Sequence, residues 1–275
     1  MEASAWILPE INKVALAIGP LKIHWYGLMY LVGLLGAWWL ANLRAKGPNA
    51  LLTKEQISDA LFIGFLGVVI GARIGYALFY DTANIIEDPT RILRIWQGGM
   101  SFHGGALGVL VAIYFVARKT NKRFFQIADY FVPFVPIGLG AGRIGNFINA
   151  ELWGRPTEGW WAVIFPNDPE QLTRHASQLY QAALEGLALF IILYVYSRKP
   201  RPLGAVTALF GICYGIFRFT VEYAREPDAH LGLFGGFISM GQILSLPMII
   251  LGTMLFIWSY KTHPVQPSGA QSASA

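Results

Sequence analysis

Long apolar segments alternate with short polar connections along almost the whole chain. Seven of these segments hold enough apolar residues to cross a bilayer as a helix, which takes ~20 residues. Their apolar positions do not alternate with polar ones, as membrane-spanning strands would require. The pattern therefore predicts an all-α integral membrane protein, a bundle of about seven transmembrane helices. The predicted spans are residues 21–41, 60–80, 102–117, 124–142, 178–197, 203–223 and 237–260.

Composition supports the membrane interpretation. Hydrophobic residues make up 55% of the 275 residues and charged residues only 13%, against ~25% charged in a soluble domain. These figures exclude a disordered chain and argue against a soluble one. The single cysteine, Cys213, excludes an internal disulfide and a cysteine metal cluster.

The distribution of basic residues predicts the orientation and explains the net charge of +5 without a nucleic-acid partner. Lysines and arginines concentrate in the first, third and fifth connections, as in cytoplasmic loops. This places the N-terminus outside and the C-terminus in the cytoplasm. Residues 1–263 are predicted to form one transmembrane domain, with an outward-facing loop at 143–177. Residues 264–275 are Ser-, Ala-, Pro- and Gln-rich and are predicted to be a disordered cytoplasmic tail.

Polar residues gather at the outer ends of the predicted spans. A charge at the bilayer centre costs ~2.5–3.5 kcal/mol, so each one needs a physical reason. The inner half of the predicted helix bundle has almost no polar residues, and Asp129 and Glu185 are the exceptions. The distribution predicts a one-sided pocket that opens outward. Its candidate residues are His24, Tyr26, Arg73, His103, Arg143, Asn146, Glu151, Arg218 and Glu222.

The residue types in this pocket indicate phosphate chemistry. Arginine stays charged and pairs with phosphate through two parallel hydrogen bonds. No candidate covalent nucleophile is evident, because Cys213 lies inside a span and Ser177 lacks a base. No metal-binding or nucleotide-binding motif is present. We therefore expect direct transfer between two bound substrates, one of them a phospholipid, without a metal or cofactor.

Several of these residues have purely structural alternatives. Arg218 and Glu222 are four residues apart and could simply neutralise each other. Arg73 could reach the interface or cap a helix end, and His103 could be an interfacial histidine. Tyr26 could anchor the helix at the membrane surface. Glu151 could pair with Arg155.

The run 140–155, GAGRIGNFINAELWGR, closely resembles the signature of bacterial prolipoprotein diacylglyceryl transferases. Further matches are HWYG at 24–27, GGMSFHGG at 98–105, RHASQLY at 174–180, FR at 217–218 with Glu222, and SMGQ at 239–242. The resemblance covers nearly the whole chain apart from the tail. Departures are Ala106, Ala176 and Gln181, where leucine, proline and an acid are common, and a short segment at 156–173.

This resemblance implies an enzyme of the bacterial inner membrane whose active site faces the periplasm. It would move the diacylglyceryl group of phosphatidylglycerol onto the thiol of the lipobox cysteine of a preprolipoprotein. The products would be a thioether and glycerol phosphate. A lipid transporter or export factor, or a different phospholipid-modifying enzyme, is the alternative. A metal-dependent phosphatidyltransferase would need clustered aspartates within one span, and the sequence has none.

The predicted roles follow from this reaction. His103 is the candidate base for the thiol, and Arg143 and Arg218 hold the phosphate as its negative charge grows. Asn146 and Tyr26 hydrogen-bond the headgroup or the thiol. Glu151 and Glu222 orient the arginines, and Gly154 allows a close backbone approach. Arg73 and His24 are assigned to substrate binding.

Overall fold

The computed structural model describes residues 6–19, 21–47, 50–94, 96, 98–227 and 232–263. The predicted tail at 264–275 lies outside these residues. The described α-helices are α1 Trp25–Arg44, α2 Lys54–Phe79, α3 Thr82–Glu87, α4 Phe102–Lys119, α5 Phe124–Phe131, α6 Val135–Ile148, α7 Ser177–Gln181, α8 Leu189–Ser197, α9 Ala205–Val221 and α10 Met240–Thr262.

Three short segments have other helical geometries. Residues Pro89–Leu93 and Val132–Phe134 form 3₁₀ turns, and Ala182–Ala188 form a π-helix that joins α7 to α8. The described strands are all short: β1 Trp6–Ile7, β2 Val14–Ile18, β3 Leu21–His24, β4 Val163–Ile164, β5 Thr173–Arg174, β6 Leu233–Phe234 and β7 Ile238–Ser239.

The predicted helical membrane fold is confirmed. Within the described residues, six helical segments are long and apolar enough to cross a membrane, and α9 is a shorter apolar helix of 17 residues. All seven lie where the hydropathy pattern predicts a span. The orientation of the bundle stays a prediction.

The boundaries of three predicted spans were wrong. The helix of the second span, α2, begins at Lys54 and not at residue 60. Residues 21–24 form β3, which pairs with β2, so α1 begins at Trp25 instead. The fourth span continues beyond Gly142 to Ile148, so the connection that follows it begins later than position 143. Pro133 and Pro136 interrupt this span with a 3₁₀ turn, because proline lacks the N–H that the helix needs.

The chain divides into two compact units, one of residues 41–130 and one of residues 1–40 with 131–275. In the first, α2 and α4 pack through glycines. A Cβ atom at Gly75 would lie 2.8 Å from Cα of Gly104, and one at Gly71 would lie 2.9 Å from Cα of Gly108. Small residues spaced four apart therefore let these two helix backbones approach closely.

In the second unit, α9 packs along α10, and α6 packs against the π-helix. Leu189, Leu193, Val206 and Tyr214 form a buried core among these helices. The capping box formed by Ser239 and Gln242 fixes the start of α10.

The connection between α6 and α7 folds into a small structured region of the second unit. Strand β4 pairs in parallel with β1 and antiparallel with β5. Leu8, Ala150, Val163, Phe165 and Ala176 form its own buried core. The region is therefore an ordered layer built on the ends of the helices.

Candidate active site

Arg143 lies within α6, with Asn146 one turn later on the same helix. The sequence predicted a loop that begins at Arg143, and that placement was wrong because the helix continues to Ile148. Gly140, one turn before Arg143, packs against Gly186 of the π-helix. A Cβ atom at Gly186 would lie 2.7 Å from Cα of Gly140. This backbone contact brings Arg143 close to Glu185.

Glu185 is the centre of the charge cluster. Its side chain is fully buried, with Oε2 3.8 Å from Nε of Arg143 and Oε1 3.9 Å from Nη1 of Arg218. Neither carboxylate oxygen accepts a hydrogen bond from the residues that the structure describes. The π-helix that carries Glu185 is a rare geometry that occurs frequently at functional sites.

Arg218, near the end of α9, contacts two carboxylates. Its Nη2 lies 2.5 Å from Oε1 of Glu222 on the same helix, and its Nη1 faces Glu185. The pairing with Glu222 that the sequence offered as a structural alternative is therefore present, but it is only part of the arrangement. Glu222 lies 3.3 Å from Nη1 of Arg225 and accepts a hydrogen bond from the Ser239 hydroxyl.

Gly241 makes room for the Glu222 carboxylate at the start of α10. A Cβ atom there would lie 2.5 Å from the carboxylate carbon of Glu222. The N-terminus of a helix also favours a nearby negative charge. The role predicted for Glu222, orienting an arginine, agrees with its contacts.

Tyr26, Asn146 and Glu151 lie next to one another in the same unit. The ring of Tyr26 packs over Gly145, and its hydroxyl lies 3.2 Å from that of Tyr30. Asn146 is buried, and its Nδ2 donates to Oε1 of Glu151 at 2.8 Å. Glu151 thus orients Asn146 instead of an arginine, which corrects the sequence prediction.

Tyr26 and Glu151 also line a cavity of ≈ 850 Å³. His24, predicted to bind substrate, lines the same cavity, together with Lys13, Lys22 and Asn149. The cavity is therefore bordered by cationic and hydrogen-bonding groups and also by the apolar side chains of Ile23, Leu28 and Leu31. It is large enough for a small polar molecule.

Gly154 lies where three chain segments meet. Its N–H donates to the carbonyl of His175 at 2.8 Å, and a Cβ atom would lie 2.6 Å from Cβ of His175. The next residue, Arg155, donates through Nε to the carbonyl of Arg225 at 3.0 Å and makes no ion pair with Glu151 among the described residues. The close backbone approach expected at Gly154 is present, and it ties the structured connection to the end of α9.

A buried ion pair holds this connection together. Arg174 Nε lies 2.7 Å from Oδ2 of Asp168, and the guanidinium also contacts Glu170 and Glu226. Burial raises the pKa of Asp168, but hydrogen bonds from Arg174 and from two main-chain N–H groups outweigh burial, so this pKa lies below its ordinary value. Burial lowers the pKa of His175.

Arg73 and His103 belong to the other unit. The guanidinium of Arg73 donates to the main-chain carbonyls of Arg91, Ile92, Arg94, Gly98 and Gly99. These bonds fix the connection before α4, and they favour a structural role over the predicted substrate binding. His103 is the second residue of α4 and packs edge-on against Phe102.

Two charged residues of the cluster were missed by the sequence prediction. Glu185 was noted only as an exception in the inner half of the bundle, and Arg225 was not among the predicted site residues. An acid buried within a transmembrane helix is expensive, and that cost alone is a signal of function.

The fold and this cluster define a multi-pass helical membrane protein with a buried arginine–carboxylate site. A family model described as prolipoprotein diacylglyceryl transferase matches residues 13–258. The chain belongs to this family.

Close relatives carry one shared name, phosphatidylglycerol–prolipoprotein diacylglyceryl transferase. The Ectopseudomonas mendocina protein is 59% identical over 259 residues, which cover 94% of this chain and 97% of the relative. The Azotobacter vinelandii protein is 58% identical, with 92% and 96% covered. A Vibrio cholerae protein is 60% identical, with 92% and 93% covered.

Proposed function

We propose that this protein transfers the diacylglyceryl group of phosphatidylglycerol to the lipobox cysteine of preprolipoproteins, the first step of lipoprotein maturation. The observation that carries the proposal is the convergence of Arg143 and Arg218 on one buried point, in a chain that matches the family over residues 13–258. Two guanidinium groups from different helices can hold one phosphate between them.

The reaction requires charge stabilisation more than a protein nucleophile. The cysteine thiolate attacks the glyceryl carbon that carries the phosphate, a C–S bond forms, and the C–O bond to phosphate breaks. The electron pair leaves with the phosphate oxygen, and glycerol phosphate departs with one more negative charge than the diester. Arg143 and Arg218 stabilise that growing charge, a type of interaction worth several kcal/mol in a dry site.

The remaining polar groups position the substrates. Tyr26 and the Asn146 amide, held by Glu151, supply hydrogen bonds to the headgroup or the thiol. A thiol with an ordinary pKa of ~8.5 needs a base at neutral pH, and His103 is our candidate. Glu222 holds Arg218 in place, and Gly154 with His24 completes the substrate-binding residues.

We place the protein in the bacterial inner membrane with the arginine cluster facing the periplasm, and we assign catalysis to one domain of residues 1–263. The clustering of basic residues in the odd-numbered connections supports this orientation. Lipobox cysteines and the phosphatidylglycerol of the outer leaflet would both reach a site on that side.

A single reconstitution tests the function. Purified protein is incubated with phosphatidylglycerol and a synthetic lipobox peptide, and the peptide mass is measured. We expect a mass increase equal to one diacylglyceryl group and no increase for a peptide with serine in place of cysteine. An unchanged peptide, together with movement of lipid between leaflets in proteoliposomes, would favour a lipid transporter instead.

A further inference from the structure

Glu185 is a buried carboxylate that faces two guanidinium groups without a hydrogen bond from either. Its side chain has no exposed surface. Burying an ionised group is costly unless it is paired and hydrogen-bonded. At 3.8 and 3.9 Å from Arg143 and Arg218, Glu185 provides charge compensation but accepts no hydrogen bond from either guanidinium.

A guanidinium N–H group that has no hydrogen-bond partner can donate to an incoming phosphate. Nη1 of Arg218 is buried and makes no hydrogen bond to the residues described here. The Arg143 side chain is 23% exposed, so part of its guanidinium group is accessible to a ligand. A phosphate that engages both groups would therefore compete with Glu185 for the same positive charge.

The charge balance of the cluster fits a singly charged ligand. With both carboxylates ionised, the charges of Arg143, Arg218 and Arg225 exceed those of Glu185 and Glu222 by one positive charge. A phosphodiester carries one negative charge and neutralises it. The leaving phosphate monoester carries up to two, so a negative charge on Glu185 disfavours its retention.

We propose that Glu185 is a positioning residue, an internal counter-anion that holds Arg143 and Arg218 towards a common point. Its negative charge lowers the affinity of the two guanidinium groups for phosphate. The phosphate monoester product is therefore released more readily. The proposal rests on the proposed function. It gives Glu185 a role that differs from simple structural support, because the two roles predict opposite changes in anion affinity.

Glu185→Gln removes the charge and retains the shape of the side chain. If Glu185 competes with phosphate, the variant binds anions more tightly. We expect the KM for phosphatidylglycerol and the inhibition constant for glycerol 1-phosphate to fall, each roughly tenfold, because one buried negative charge ~4 Å from two cations has been removed. If Glu185 only supports the arginines, both constants rise.

The experiment measures both constants with a lipobox peptide as acceptor. Glu185→Asp keeps the charge but withdraws it by one methylene, and we expect its constants to lie between those of the wild type and Glu185→Gln. Glu158→Gln removes an exposed negative charge from the connection before β4 and serves as the matched control, with constants unchanged.

The outcomes separate this proposal from the proposed function. Failure of the wild-type protein to modify the peptide would refute the function. Normal wild-type transfer with unchanged or raised constants in Glu185→Gln would overturn the role of Glu185. The proposed role would also be overturned if Glu185→Gln does not fold while Glu185→Asp does, because Glu185 would then be a structural counter-ion.

Discussion

Arg143 and Arg218 approach opposite oxygens of one carboxylate, that of Glu185, at 3.8 and 3.9 Å. The two arginines lie on different helices, α6 and α9, and 75 positions apart in the sequence. Two guanidinium groups can bind a single phosphate only if they converge on one point in this way. It also shows that these side chains form a single cluster within one compact unit.

Replacing either arginine by lysine should nearly abolish transfer. Lysine keeps the charge but has no planar fork, so it loses the paired hydrogen bonds to phosphate. We expect Arg143→Lys and Arg218→Lys each to lower kcat/KM by ~100-fold, as loss of one oxyanion donor does. Peptide lipidation measured by mass spectrometry checks this, with the exposed Arg123→Lys as control. Near-normal rates in either variant would remove the phosphate role of that arginine.

The contact between Gly140 and Gly186 should control the distance from Arg143 to Glu185. Gly186→Ala places a Cβ atom 2.7 Å from a backbone carbon of α6, so the two helices must separate. We expect a loss of stability of ~1–3 kcal/mol and reduced transfer. Gly142→Ala is the matched control, because a Cβ atom there meets nothing within 4 Å. Equal melting temperatures for the two variants would contradict this packing argument.

Periodicity and charge predicted the helical framework because a bilayer imposes one simple rule, ~20 apolar residues for each span. The same rule could not predict that Glu185 lies beside the arginines. A π-helix and a contact between two glycines bring its side chain there, and both depend on tertiary packing. Nor could this rule predict the hydrogen bond between Asn146 and Glu151. That bond forms because α6 continues to Ile148, beyond the predicted end of the span.

Glu151 and Asn146 should act as one unit. Glu151→Ala removes the acceptor that fixes the Asn146 amide, and Asn146→Ala removes the amide itself. We expect each change to cost ~10-fold or more in kcat/KM, which corresponds to one hydrogen bond to a charged group. The double variant should be little worse than either single variant, because both remove the same interaction. Fully additive losses in this double-mutant cycle would show that the two side chains act independently.

His103 can be tested as the base through the pH dependence of the rate. If it accepts the thiol proton, His103→Gln should lower kcat by 10²–10⁴-fold, the usual contribution of a general base. The rate of the variant should then follow the ionisation of the substrate thiol, near pH 8.5. The wild-type profile should have a limb that the variant lacks, because the wild-type rate also depends on the protonation of the base. Retention of that limb in the variant would assign the base to another group.

The ion pair of Asp168 and Arg174 should make the structured connection sensitive to acid. Because the pKa of folded Asp168 lies below its ordinary value, its contribution is complete above the unfolded value of ~3.9 and is lost as the pH falls through the lower, folded value. Asp168→Asn should therefore destabilise this region at pH 7 by roughly 3 kcal/mol. Limited proteolysis of the 149–176 segment at pH 7 and pH 3 measures the effect. Glu170→Gln, which removes a largely exposed partner of the same arginine, should change little. Equal proteolysis rates for the two variants at pH 7 would show that the buried pair does not stabilise the connection.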